Sequence, residues 1–167
     1  IVLPGVGAFR DCMHNLEQGG FIEPLLKVID EGRPFLGICV GMQMLFSASD
    51  EDPHHTGLGI IPGTVRWIPP GVKRPQMQWN RLHLRTPDDP IFAGLHNIDT
   101  WMYFVHSLHG VPNDPGAVAA TTEYGGTLNV VFRSGNVVAT QFHPEKSAHH
   151  GLMLLENFTR IAAGERV

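Results

Sequence analysis

At 167 residues, with 43% hydrophobic and 17% charged, the chain has the length and apolar content for one domain with a real core and no signature of disorder. A formal net charge of −4 argues against a polyanion partner, since nucleic-acid binders carry a basic patch, and no apolar run approaches the ~20 residues that span a bilayer. Only two cysteines occur, Cys12 and Cys39, and no secretory leader is visible, so a reducing, cytoplasmic compartment is expected rather than a disulfide scaffold.

Ile1-Val2-Leu3 is a short apolar strand running into Pro4-Gly5. Residue 1 is not Met, and a domain that begins inside a core strand is expected to lack its opening unit. Ala8 to Asp30 is expected to be helical, with Met13, Leu16, Leu25, Leu26 and Ile29 as its apolar positions and a break near Gly19-Gly20. Phe35-Leu36-Gly37-Ile38-Cys39 has the form of a buried parallel strand, and a second helix is expected over Gly41 to Ser47. Strand, helix, strand, helix in this order favours an α/β domain with an open, mostly parallel sheet and flanking helices. Residues 57 to 112, rich in glycine and proline, suggest antiparallel additions: Gly63–Ile68, Arg81–Leu84 and Met102–Val105. Asn129 to Thr140 is expected to form a hairpin around Ser134-Gly135-Asn136. Gly151 to Ala163 is expected to be a closing helix, with Leu152, Leu155, Phe158, Ile161 and Ala162 near helical spacing. Residues 1–167 are taken as a single domain.

Gly37-Ile38-Cys39-Val40-Gly41 has the Gly-X-Cys-X-Gly form of a nucleophile elbow. The glycines are needed because side chains there would collide with the neighbouring strand and helix. A thiol at a helix N-terminus is expected to have a lowered pKa, and the Val40 amide is free to bind an oxyanion. The candidate base is His143 in Thr140-Gln141-Phe142-His143-Pro144-Glu145-Lys146. Two residues apart in extended backbone, His143 and Glu145 face the same side, so Glu145 can fix the imidazole tautomer while Pro144 stiffens the pair.

The segments GICVGMQ, QFHPEKS and LPGVGAF resemble the class I glutamine amidotransferase domain, which has a flavodoxin-like sheet. LPGVGAF, PQMQWNRL and YFVHSLH are similar to the glutaminase subunits of imidazole glycerol phosphate synthases, from residue 1 to about residue 160, with only the family's first strand–helix–strand unit lacking. The resemblance implies a Cys39–His143–Glu145 triad that hydrolyses glutamine, an oxyanion site from Gly5, Val6, Gly7 and Val40, and substrate contacts from Gln43, Glu51, Ser107 and Leu108. It also implies a (β/α)8-barrel synthase subunit as heterodimeric partner, touched by Gln76, Met77, Trp79, Asn80 and Lys146. Ammonia would pass through that barrel to make imidazole glycerol phosphate and an aminoimidazole carboxamide ribotide. No cofactor is implied. Two departures stand out: Gln76 and Gln78 where the family usually has His and Gly, and Leu108 where it often has Tyr.

The histidines His54-His55, His149-His150, His106 and His109 do not have zinc-site spacing, so no metal is expected. A cysteine hydrolase of the dienelactone-hydrolase type shares the elbow but would place its acid before its histidine, and it leaves LPGVGAF unexplained. A non-catalytic regulatory domain on the same fold does not explain an intact Cys, His and Glu. Sister amidotransferases feeding anthranilate, guanylate or pyridoxal phosphate synthesis fit PGVGAF and Trp79-Asn80 less well.

Overall fold

A computed structural model describes residues 1–95 and 98–165. Strand β1 (Val2–Gly5), helices α1 (Phe9–Gln18) and α2 (Ile22–Asp30), strand β2 (Phe35–Cys39) and the one-turn helix α3 (Val40–Gln43) come first. Strands β3 (Phe46–Ser49), β4 (Ile61–Trp67), β5 (Gln76–Arg81), β6 (His83–Leu84), β7 (Trp101–His106), β8 (Leu108–Pro112), β9 (Val118–Glu123), β10 (Thr127–Ser134) and β11 (Val137–Thr140) follow, and α4 (Ala148–Ala162) closes the order.

The main sheet runs β1-β2-β11-β10-β9-β6. Its first three strands are parallel, with Leu3 opposite Gly37 and Thr140 opposite Ile38. All five residues of β2 are buried, as a strand covered on both faces requires. The parallel part brings three strand ends together: Gly5 of β1, Cys39 of β2, and the segment from Gln141 to His143 after β11. Ligands of α/β sheets bind outside such carboxyl ends. Beyond β11 the sheet turns antiparallel through the hairpin β10–β11, whose two-residue turn is Gly135-Asn136, with Gly135 at φ 56°.

A second sheet, β3-β4-β8, and a ribbon, β5-β7, cover the sheet's far half. Phe46 and Phe132 meet edge to face at 5.1 Å, and a Cβ on Gly110 would fall 2.4 Å from Phe46 and 2.6 Å from Phe132, so a side chain on β8 there would displace both rings.

Several expectations are corrected. The helix expected over Gly41 to Ser47 ends at Gln43, and Phe46–Ser49 is strand β3. Leu58 N–H and Ile61 N–H donate to the Met44 and Leu45 carbonyls, and Phe46 pairs with Ile61, so tertiary pairing overrides helical propensity. Arg81–Leu84 is not one strand: Arg81 ends β5, Leu82 N–H donates to Thr100 O, and His83–Leu84 joins β9. Strand β9 was not anticipated, because Val118 to Thr122 are all buried and show no alternation. Helix α4 begins at Ala148, before Gly151, and packs through Gly151, Leu154, Asn157 and Phe158 while Leu152 is exposed.

Candidate active site

Cys39 closes β2 at φ 56° and ψ −116°, a left-handed strain that L residues avoid. The glycines around it are demanded by close packing. A Cβ on Gly41 would lie 1.9 Å from Leu3 O, and one on Gly5 would lie 2.6 Å from Gly41 N. A Cβ on Gly37 would meet Leu45 Cδ1 at 2.9 Å and Met42 Cα at 3.1 Å. Strand β1 and helix α3 therefore touch backbone to backbone, which sets Gly5, Val6 and Gly7 beside the sulfur.

The thiol is not activated at rest as expected. Burial pushes Cys39 up to about 11; the Val40 backbone bond opposes this, and the charge of Glu145 raises the pKa further. Helix α3 is a single turn, too short for a dipole to offset that desolvation.

His143 is buried, and its Nδ1 lies 2.7 Å from Glu145 Oε1. This leaves Nε2 for the thiol proton and assigns the Nδ1–H tautomer. The geometry that joins the pair differs from the expected extended one. His143 is extended at φ −98° and ψ 97°, but Pro144–Lys146 is a 3-10 turn with Pro144 at its start, and the turn folds Glu145 back onto the ring. His143 N–H donates to Tyr103 O at 3.3 Å, and Ser147 Oγ donates to His143 O at 2.6 Å while accepting from Tyr103 N–H at 2.9 Å. Gly151 completes the support, since a Cβ there would lie 1.9 Å from Pro144 O.

Cys39 and His143 share a cavity of about 360 Å³ with Val6, Gly7, Val40, Gln43, Glu51, His106, Ser107, Leu108 and Lys146. All four sequence-derived substrate residues thus line one hollow. Glu51 also accepts from Phe9 N–H at 2.7 Å, tying its loop to the start of α1. Val6 is 75% exposed at the cavity mouth, and its carbonyl accepts from Cys12 Sγ at 3.3 Å.

Among the residues expected to touch a partner, Met77 and Trp79 are exposed on β5. Gln76 is not: its side chain is fully buried, because alternation along β5 turns it inward. Gln76 Oε1 lies 2.9 Å from His106 Nε2, and His106 Nδ1 lies 2.6 Å from Leu108 O. Asn80 is held within the ribbon, accepting from Gln76 and donating to Glu123 O. Sequence reasoning missed His106 and Gln141 as cavity and nucleophile neighbours. His106 lies within the YFVHSLH segment and Gln141 within QFHPEKS, yet neither stretch shows which way a side chain points.

The model of the family described as glutamine amidotransferase class-I matches residues 1–162, and the chain belongs to that family. Imidazole glycerol phosphate synthase subunit HisH of Syntrophotalea carbinolica is 52% identical over 165 residues, covering 95% of this chain and 79% of that protein. The proteins of the same name from Geobacter sulfurreducens and Aquifex aeolicus are 52% and 48% identical, with 78% and 77% of their lengths covered. Within the class, the chain is thus a member of this HisH family. Solved structures agree on the fold alone: a glutamine amidotransferase at TM-score 0.70 and 23% identity, covering 95% of this chain and 78% of that one, and PurLQS from Thermotoga maritima at TM-score 0.65 and 18% identity, covering 84% and 67%.

Proposed function

We propose that the chain hydrolyses glutamine to glutamate and ammonia through Cys39, His143 and Glu145, and supplies the ammonia to a synthase subunit making imidazole glycerol phosphate. The observation that carries this reading is the strained Cys39 sharing one cavity with a buried histidine whose Nδ1 is held 2.7 Å from Glu145.

Thiol and imidazole meet the substrate together. Cys39 Sγ adds to the side-chain carbonyl carbon of glutamine as its proton passes to His143 Nε2. The oxyanion is received by the Val40 amide and by the Gly5–Gly7 strand. His143 returns the proton to the amide nitrogen, the C–N bond breaks, and ammonia leaves a thioester. Water, deprotonated by His143, adds to the thioester carbonyl, the C–S bond breaks as its electron pair returns to sulfur, His143 gives the proton back to Sγ, and glutamate departs. Gln43 and Glu51 are suited to the α-ammonium end, and Ser107 and Leu108 close the wall.

The partner is proposed as a (β/α)8-barrel subunit. Met77, Trp79 and Trp101, each 45% exposed or more, form an apolar face on the β5–β7 ribbon, beside the cavity that Pro75 and Val105 help to line. Such exposed aromatics suit a protein interface. Cytoplasmic location fits this role; among the described residues no helix is long and apolar enough to cross a membrane.

The test uses full-length protein with a matched synthase subunit. Cys39→Ser should abolish glutamine-dependent product yet leave synthesis from added ammonium intact. Wild-type glutamine hydrolysis by Cys39→Ser would overturn the nucleophile, and no product gain on adding the synthase subunit would overturn the partnership.

A further inference from the structure

Gln141 lies between β11 and His143, with its side chain fully buried and its backbone N–H donating to Val130 O at 2.9 Å. Its side-chain amide bonds twice, both times to groups of the active site. Nε2 donates to Cys39 Sγ at 3.9 Å, and Oε1 accepts from Gln43 Nε2 at 3.2 Å. Burying an amide costs desolvation that an apolar side chain of similar volume would avoid. Neither bond caps a helix or joins a strand, so secondary structure does not account for that cost.

In the arrangement of the structure the two bonds agree on one sense. With Oε1 taken by an N–H of Gln43, the end facing the sulfur is an NH2 group, which donates and cannot accept. It offers nothing to a thiol proton and stabilises a sulfur that carries charge. Charge develops on Sγ twice in a thioester mechanism: when the thiol loses its proton, and when the C–S bond breaks and its electron pair returns to sulfur.

We infer that Gln141 is a further catalytic residue, its Nε2 stabilising the charge on Cys39 Sγ while the Val40 amide serves the substrate oxyanion. Gln43 is a positioning residue that holds the Gln141 amide in its donating sense. This rests on Cys39 being the nucleophile. The other groups acting on the sulfur are the Val40 backbone N–H and Lys146, which lower its pKa, and Glu145 and Cys12, which raise it, while His143, Glu51 and His106 share the cavity wall. All remain in place when Gln141 alone is changed.

The test is alkylation of Cys39 by iodoacetamide at pH 9 in the full-length protein, followed by mass spectrometry of the Cys39 and Cys12 peptides. Gln141→Met keeps the volume without a donor and should slow labelling about tenfold, the effect of one hydrogen bond to a charged group. Gln141→Glu keeps both the volume and the Gln43 bond but turns a carboxylate to the sulfur, so it should be slower still. A packing role predicts the reverse order, with the closer isostere nearer wild type. Glutaminase kcat should fall in the same order with KM little changed. Wild-type labelling of Gln141→Met, or faster labelling of Gln141→Glu than of Gln141→Met, overturns the inference. Should neither variant fold, NMR of the wild type decides: the Gln141 side-chain NH2 resonances must move when Cys39 is alkylated, and unmoved resonances overturn it. If Cys39→Ser in the full-length protein hydrolyses glutamine at the wild-type rate, the nucleophile assignment itself fails.

Discussion

Replacing Gly41 by Ala tests how the elbow is built. The added methyl would sit 1.9 Å from Leu3 O and 2.8 Å from Leu3 C, so one backbone must shift by ~1 Å to reach the 3.0 Å floor of real Cβ contacts. Neither side yields freely. Leu3 is paired in register with Gly37 in the parallel ladder, and α3 is tied at its other end through Met44 N–H to Val40 O. A clash against backbone belongs at the upper end of overpacking costs, about 3 kcal/mol, which in a domain of this length lowers Tm by roughly 6–12 °C. The same shift moves Cys39 against Val6, and a 1 Å misplacement of reacting groups costs about 10²-fold in rate. Thermal melting and glutamate release by the full-length protein measure the two effects. A variant melting within a degree of wild type with full turnover would refute the backbone contact and the packing argument for the elbow.

His143→Ala should lower glutamine turnover by about 10²–10⁴-fold, as loss of a general base implies, and Glu145→Gln by less because it still accepts the Nδ1–H bond; equal, negligible losses measured by glutamate release would remove the pair from the mechanism. His106 and His109 are held down to about 4 by burial, and His109 Nδ1 has no partner. Their folded pKa values lie below the ordinary 6.5, so the unfolded chain takes protons first. Stability is therefore complete above pH 6.5 and falls by up to ~3 kcal/mol per ring as pH drops towards 4. His109→Phe should flatten the melting curve between pH 7.5 and 5; an unchanged pH dependence would count against it. Trp79→Ala should weaken binding of the synthase subunit at least tenfold by calorimetry while leaving the basal glutaminase rate alone; unchanged affinity would move the interface elsewhere.

The proposed triad was legible as a constellation because such chemistry imposes local spacing. An elbow needs small residues two positions either side of its nucleophile, and Gly37 and Gly41 occupy backbone contacts that show why. A histidine oriented by an acid needs that acid close in sequence or in space, and here both hold. What depends on distant partners was not legible. Val118 to Thr122 looks featureless because every residue is covered, and Phe46 to Ser49 reads as helix until β4 arrives to pair with it. The inward turn of Gln76 follows from strand register, which no single residue announces.

The charge state of Cys39 is the case where a local rule pointed the wrong way, and the reason bears on function. A helix N-terminus lowers a thiol pKa only if the helix is long enough to carry a dipole and the sulfur remains hydrated. Helix α3 offers one turn, and Cys39 is only 6% exposed, so desolvation wins and the thiol is pushed up to about 11. Such a cysteine reacts slowly with stray oxidants and electrophiles, which attack thiolates. On the proposed mechanism its nucleophilicity is created as the substrate carbonyl arrives, with His143 taking the proton while the bond forms. That requirement explains the effort spent on holding one imidazole: Glu145 on Nδ1, Ser147 on its carbonyl, Tyr103 on its amide and Gly151 against the Pro144 turn. In a site whose thiol was already ionised, so many constraints on the base would contribute little.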